Sequence, residues 1–173
     1  MSELDLAGMV RNIPDFPLPG IQFKDITTLI GNGPAFNQVI TQLADRYRNH
    51  PIDAVAGVES RGFIFSAPLA LELGVGLVPI RKPGKLPADT YQIEYALEYG
   101  TNKLEIHRDA FTPGARVLVV DDLLATGGTI VAATQLIERA GGTVTELAFV
   151  IELAFLNGRD KLASYPIFSL IQY

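Results

Sequence analysis

The sequence predicts an α/β fold, a mainly parallel twisted sheet flanked by helices on both faces. Three observations carry that expectation. Short β-branched apolar runs alternate with segments of helical period, two of those runs end in small-residue turns that open helices, and an alternating hairpin interrupts the rhythm only once.

The amphipathic opening, with Leu4, Leu6, Met9 and Val10 apolar, stops at Ile13-Pro-Asp-Phe-Pro-Leu-Pro-Gly20, where proline excludes helix and an ordered loop is expected. From Pro34 to Arg48, Phe36, Val39, Ile40, Leu43, Ala44 and Tyr47 recur at helical spacing, with Pro34 in the first turn. Ala54 to Val58 reads as a strand. Gly62 to Leu73 is apolar nearly all round and reads as a buried helix closed by Gly74, followed by the strand Leu77 to Ile80. Ile93 to Leu97 and Lys103 to Ile106 alternate about Tyr99-Gly-Thr-Asn102 and predict a hairpin. Val117 to Val120 suits a central parallel strand, after which come a helix from about Thr129 to Ala140 and a strand from Val144 to Ile151. Residues before Phe23 and after Leu153 are expected to cover one end.

At 173 residues the chain fits one domain, 1–173, able to bury about 70% of its unfolded surface. Zero cysteines exclude a disulfide framework and a thiolate zinc site. The start Met-Ser-Glu-Leu-Asp lacks signal-peptide character, so a cytoplasmic location is the expectation. No apolar stretch reaches the 18 or so residues of a membrane helix, and a net charge of -5 disfavours nucleic acid and anionic membranes as partners.

The chemistry concentrates at Val117-Leu-Val-Val-Asp-Asp-Leu-Leu-Ala-Thr-Gly-Gly-Thr129. Asp121 and Asp122 would emerge at the carboxyl end of a central strand, where ligands of open α/β sheets bind. Ala125, Thr126, Gly127, Gly128 and Thr129 are small enough for a phosphate to approach the backbone at a helix N-terminus. The acids cannot bind that phosphate, but they can accept hydrogen bonds from vicinal ribose hydroxyls or hold Mg²⁺. A helix cap followed by a turn is the plain structural alternative for each half. Gly57-Val-Glu-Ser-Arg-Gly62 repeats the strand-to-helix turn, and its amides with the Arg61 guanidinium suit a second anion as well as Ser60 suits a simple helix cap with Arg61 solvated. Arg81, Lys82 and Lys85 gather cations at another strand exit, either as a solvated loop or as a clamp that closes over a leaving diphosphate and excludes water. His50 and His107 read as surface residues.

The apolar strand, two acids and Ala-Thr-Gly-Gly-Thr resemble the 5-phosphoribosyl-1-pyrophosphate (PRPP) motif of the type I phosphoribosyltransferases. Further stretches narrow the resemblance to the adenine phosphoribosyltransferases: Phe16-Pro-Leu-Pro-Gly-Ile-Gln-Phe-Lys-Asp-Ile26, Glu59-Ser-Arg-Gly-Phe63, Ile80-Arg-Lys-Pro-Gly-Lys-Leu-Pro87, Leu97-Glu-Tyr-Gly100 and Phe168-Ser-Leu-Ile-Gln-Tyr173. The resemblance implies the type I fold with a small hood from about residues 1–30 and 153–173 and a flexible loop over the site. It implies transfer of the phosphoribosyl group from PRPP to adenine, giving AMP and pyrophosphate with Mg²⁺, in a homodimer serving purine salvage.

Residue by residue, it implies that Ala125 to Thr129 hold the 5-phosphate, and that Asp121 and Asp122 contact the ribose hydroxyls, with Asp122 also catalytic. Glu59, Ser60, Arg61, Arg81, Lys82 and Lys85 fall at pyrophosphate positions, with a cis peptide between Glu59 and Ser60. Gln22, Phe23, Lys24 and Leu153 fall at adenine positions, and Glu98 and Tyr99 approach the reacting centre, Glu98 as candidate general base. The chain departs from the family pattern at Lys24, where arginine is expected before Asp25. Recognition through the main chain tolerates that change and recognition through a guanidinium does not.

Three rivals remain at this level. A phosphoribosyltransferase for a 6-oxopurine would share the PRPP motif. A PRPP-sensing regulator would normally carry an added domain or a basic face. A receiver-like domain would place its acid pair near the chain's beginning and leave Ala-Thr-Gly-Gly-Thr unexplained.

Overall fold

The structure is a computed structural model that describes residues 4–96 and 100–173. The chain separates into two compact units, residues 1–46 and 47–173.

In the first unit, β1 (Arg11–Pro14) and β2 (Gln22–Asp25) pair antiparallel, with Ile13 opposite Phe23. Their connection holds the cis Phe16–Pro17 bond, and the Asp15 carboxylate accepts the Gly20 amide at 2.7 Å. The ordered loop expected here is thus the connection of a hairpin, whose two flanking strands the sequence reading did not show. Four-residue strands are too short to display alternation, and Pro14 disguises the end of β1. A single helical turn, α1 (Thr27–Ile30), precedes α2 (Gly33–Tyr47), whose predicted inner face holds: Val39, Ile40, Leu43, Ala44 and Tyr47 are buried.

The second unit is built on β3 (Ala54–Val58), α3 (Gly62–Leu73), β4 (Gly76–Ile80), the hairpin β5 (Thr90–Ala96) and β6 (Thr101–His107), β7 (Arg116–Leu124), α4 (Gly128–Arg139), β8 (Thr143–Glu152) and β9 (Ile167–Gln172). Five strands form one all-parallel sheet in the order β4-β3-β7-β8-β9. The strand after β3 goes to one side and the strand after β7 to the other. Right-handed crossovers then put α3 and α4 on opposite faces. Burial agrees, because Ala56, Val58, Val117 and Val119 share a core with Ile130, Ala133 and Ile137 of α4, and α3 lies outside that cluster.

Three differences from the sequence reading follow from tertiary contacts. β7 runs on through Asp121 and Asp122 to Leu124, because β8 continues to pair with it after β3 has stopped at Val120. The stretch after Leu153 is not all cover: two short 3-10 turns (Ala154–Leu156 and Gly158–Leu162) lead back to β9, the sheet edge. Finally, α3 is not enclosed, since Leu71 is 81% exposed; apolarity permits burial and does not compel it. No helix among the described residues is long and apolar enough to cross a membrane.

Candidate functional site

The chain order reverses between β3 and β7, and in open α/β sheets the crevice beyond such a switch point receives ligands. A cavity of about 530 Å³ lies there, in the second unit. Its wall takes Glu59, Ser60 and Arg61 from the exit of β3, Asp121 and Asp122 from β7, Ala125 and Thr129 from the next turn, and Lys82 from the exit of β4. Residues far apart in the chain thus converge on one space.

The turn after β3 contains the expected cis peptide between Glu59 and Ser60. Arg61, rather than Ser60, holds the N-cap position of α3, and its side chain makes no capping hydrogen bond. Instead Arg61 Nε lies 2.8 Å from Asp122 Oδ2. Gly62 is required by proximity, since a Cβ there would stand 2.8 Å from Asp121 Oδ1.

Successive strand residues point to opposite faces, so Asp121 and Asp122 diverge from one another. The two remain linked because Asp121 Oδ1 accepts the Asp122 amide at 2.9 Å. Burial pushes the Asp121 carboxyl well above the ordinary range, and the neighbouring Asp122 charge adds to the rise. Burial also raises Asp122, against which the Arg61 charge works. Paired acids held this way prefer to share a counter-charge or a donor-rich ligand.

Beyond β7 the loop Ala125 to Thr129 turns into α4 through Gly127, at φ 82°. That backbone angle suits glycine and few other residues. No side chain caps α4, whose N-terminus follows the Ala125 turn and places Thr129 at the cavity wall, an arrangement that suits an anion. Thr129 Oγ1 stands 3.4 Å from the Tyr95 hydroxyl of β5.

The cationic segment is tied rather than loose. Arg81 bridges backbone to backbone with Glu105, and its guanidinium donates to Lys85 O at 3.3 Å. Both Oε atoms of Glu59 are taken by that same guanidinium, at 3.2 and 2.9 Å, and Oε2 also accepts the Lys82 amide at 3.0 Å. The Arg81 hydrogen bonds hold the Glu59 carboxyl below its usual range. Glu59 therefore orients Arg81 and Lys82, a role that residue type alone hides. Lys82 lines the cavity, and Lys85 offers its backbone oxygen to Arg81.

Gln22, Phe23 and Lys24 lie on β2 in the first unit, with Phe23 packed edge to face on Phe16 at 5.1 Å. Leu153, buried, follows β8 in the second unit. Glu98 and Tyr99 lie outside the described residues. Sequence reasoning missed Tyr95 and Asn102, which line the cavity from the hairpin. The signal was present: Ile93 and Tyr95 alternate onto the inner face of β5.

A family model described as phosphoribosyl transferase domain matches residues 27–166. The adenine phosphoribosyltransferase of Chloroflexus aurantiacus is 77% identical over 173 residues, covering 100% of both chains. The crystal structure of adenine phosphoribosyltransferase from Thermoanaerobacter pseudethanolicus superposes with a TM-score of 0.94 at 55% identity, covering 98% of each chain. That of the Saccharomyces cerevisiae adenine phosphoribosyltransferase, complexed with an imino-altritol bisphosphate and adenine, gives 0.90 at 41% identity, covering 96% of each. With this five-stranded parallel sheet and agreement over the whole length, the chain belongs to the adenine phosphoribosyltransferase family.

Proposed function

We infer that the chain transfers the 5-phosphoribosyl group of PRPP to adenine, forming AMP and pyrophosphate in purine salvage. The observation that carries this reading is the convergence of the Arg61 turn, the Asp121-Asp122 pair and the Ala125 to Thr129 turn on one cavity at the switch point. Two anion-suited helix starts flank one acid pair, which matches a sugar bearing a phosphate at one end and a diphosphate at the other. The Saccharomyces relative's complex with adenine and a sugar-like bisphosphate supports the same pairing of ligands.

In this reading Ala125, Thr126, Gly127, Gly128 and Thr129 bind the 5-phosphate, and Asp121 and Asp122 orient the ribose. Ser60, Arg61, Arg81, Lys82 and Lys85 receive the diphosphate, with Glu59 holding Arg81 and Lys82 in place. Departure of pyrophosphate leaves positive charge on the ribose ring, which the fixed carboxylates favour, while Arg61 and Lys82 favour negative charge on the leaving group. By the family resemblance, Gln22, Phe23, Lys24 and Leu153 are each proposed as base-contacting residues, and Glu98 and Tyr99 as catalytic ones, with Glu98 the acceptor of the ring proton.

Among the described residues no group of three or more His, Asp or Glu side chains is arranged to chelate a cation. The carboxylates of Asp121 and Asp122 at the cavity suit Mg²⁺, which keeps several waters and takes phosphate oxygens alongside one or two carboxylates. Asp121 and Asp122 would hold the ion through water, and a bound ion would offset charge on the diphosphate. We also propose a homodimer acting in the cytoplasm; sedimentation velocity tests the first, and a single monomeric species would remove it.

The test is a product assay with PRPP and Mg²⁺ in which adenine, hypoxanthine, guanine, xanthine or orotate is supplied separately. AMP with equimolar pyrophosphate is expected. Product from a 6-oxopurine would overturn the base assignment, and PRPP binding without product would favour a regulator.

A further inference from the structure

The turn Asn157-Gly158 stands directly behind the Ala125 to Thr129 loop, and nothing in the proposed chemistry uses it. Gly158 is buried. A Cβ on Gly158 would collide with the backbone oxygen of Ala125 and come within 3.0 Å of Leu124 Cδ1. A Cβ on Gly127, reciprocally, would stand 2.7 Å from the Gly158 oxygen. The two backbones therefore touch without intervening side chains, so the path of one sets the path of the other.

The turn is itself held on both sides. Upstream, the Leu153 amide donates to Leu124 O at 2.9 Å, the residue just before the loop. Downstream, Arg159 grips the buried Glu152 carboxylate through Nε and Nη2, each at 2.7 Å, and also donates to Ile167 O at 3.3 Å and Ser169 Oγ at 3.4 Å. Gln172 adds a further donor to Glu152 at 3.2 Å. An ion pair with both carboxylate oxygens engaged by one fork is directionally specific. The last turn of β8, the 3-10 segment and β9 thus form a brace that ends on the loop.

We propose that Gly158 is a positioning residue for the 5-phosphate site, its backbone forming the rear wall of the Ala125 to Thr129 loop and the Arg159-Glu152 pair tethering that wall. This rests on the assignment of that loop to the 5-phosphate. An anion cradle of backbone amides tolerates little displacement, because each amide must keep its direction as well as its distance.

The experiment measures binding of ribose 5-phosphate and, separately, of pyrophosphate by calorimetry, for the full chain and for Gly158→Ala, Arg159→Gln and Thr129→Val. Gly158→Ala is expected to weaken ribose 5-phosphate about tenfold or more while pyrophosphate stays within about twofold. Arg159→Gln cuts the tether without adding bulk and should weaken ribose 5-phosphate in the same selective way; it carries the test if Gly158→Ala does not fold. Equal loss of both ligands would mean a general structural role and would overturn the proposal. Loss in Thr129→Val with none in the other two would overturn it while leaving the loop assignment standing. No loss in any of the three would remove the loop assignment, and the proposal with it.

Discussion

Arg61 Nε approaches Asp122 Oδ2 at 2.8 Å, which joins the turn after β3 to the acid pair of β7 across the switch point of the sheet. Asp122 is buried while Arg61 is about half exposed, so the pair has one anchored end and one end available to an entering anion. That asymmetry lets the half-exposed guanidinium meet a diphosphate while it keeps the buried Asp122 carboxylate paired, since withdrawing it would strand that charge.

Asp122→Asn should therefore lower turnover by about 10²-fold or more, since it removes both the fixed negative charge of the proposed ribose site and the partner that aims Arg61. Far-ultraviolet circular dichroism should be unchanged. A turnover near that of the parent chain would take Asp122 out of the mechanism.

Arg81→Ala strips both guanidinium hydrogen bonds from Glu59 and leaves its carboxylate, still held by the Lys82 amide, at the wall of the cavity proposed to receive the diphosphate. KM for PRPP should rise about tenfold or more. In the double variant Glu59→Gln with Arg81→Ala, part of that loss should return, and a double-mutant cycle reads the coupling. Strict additivity would show that Glu59 does not act through Arg81.

Tyr95→Phe removes the hydroxyl that stands 3.4 Å from Thr129 Oγ1. A single neutral hydrogen bond of this kind corresponds to about a two- to tenfold rise in KM for PRPP, with little change in melting temperature. An unchanged KM would leave Tyr95 as packing only.

Asp121 carries a carboxyl whose folded pKa burial raises above the ordinary 3.8. The folded chain then holds that proton more tightly than the unfolded chain. Its contribution to stability is complete below 3.8 and is lost as pH rises through the raised folded value. Above the raised folded value the ionised Asp121 is a cost, so at such a pH Asp121→Asn should melt higher than the parent in the absence of ligand and Mg²⁺, while binding PRPP less well. A lower melting temperature would mean that the carboxylate stabilises the fold.

Asp25 behaves in the opposite sense. The Arg11 hydrogen bond, with help from the Thr27 amide, holds its carboxyl down at about 2 from an ordinary 3.8. Stability from this group is present above 3.8 and lost as pH falls toward 2. Arg11→Gln should flatten that acid limb in a melting series across pH. The change should be small because Arg11 is 55% exposed and its pairing is screened by water.

Much of this molecule is legible locally. Strand β3 and helix α3 fall where the sequence reading puts them, because five apolar residues, a turn and a helical period are properties of neighbours along the chain. The two anion turns are legible for the same reason, each being a short peptide whose small residues and hydroxyls sit side by side. Tyr95 was within reach through the alternation of β5, whereas Glu59 as the partner of Arg81 was not, those residues being 22 positions apart.

By itself, then, the sequence determined the βα order, the acid pair, the small-residue loop and the family resemblance, all of which reside in contiguous residues. The tertiary structure decided the strand order β4-β3-β7-β8-β9, which brings the Arg61 turn beside Asp122. It also decided the length of β7, the pairing of Arg81 with Glu59, and the contact of Gly158 with the loop at Ala125. The physical reason is one of range. Periodicity and turn chemistry act over a few residues, but which strand becomes whose neighbour, and which backbone a glycine must admit, is set only when distant segments compete to bury the same apolar faces.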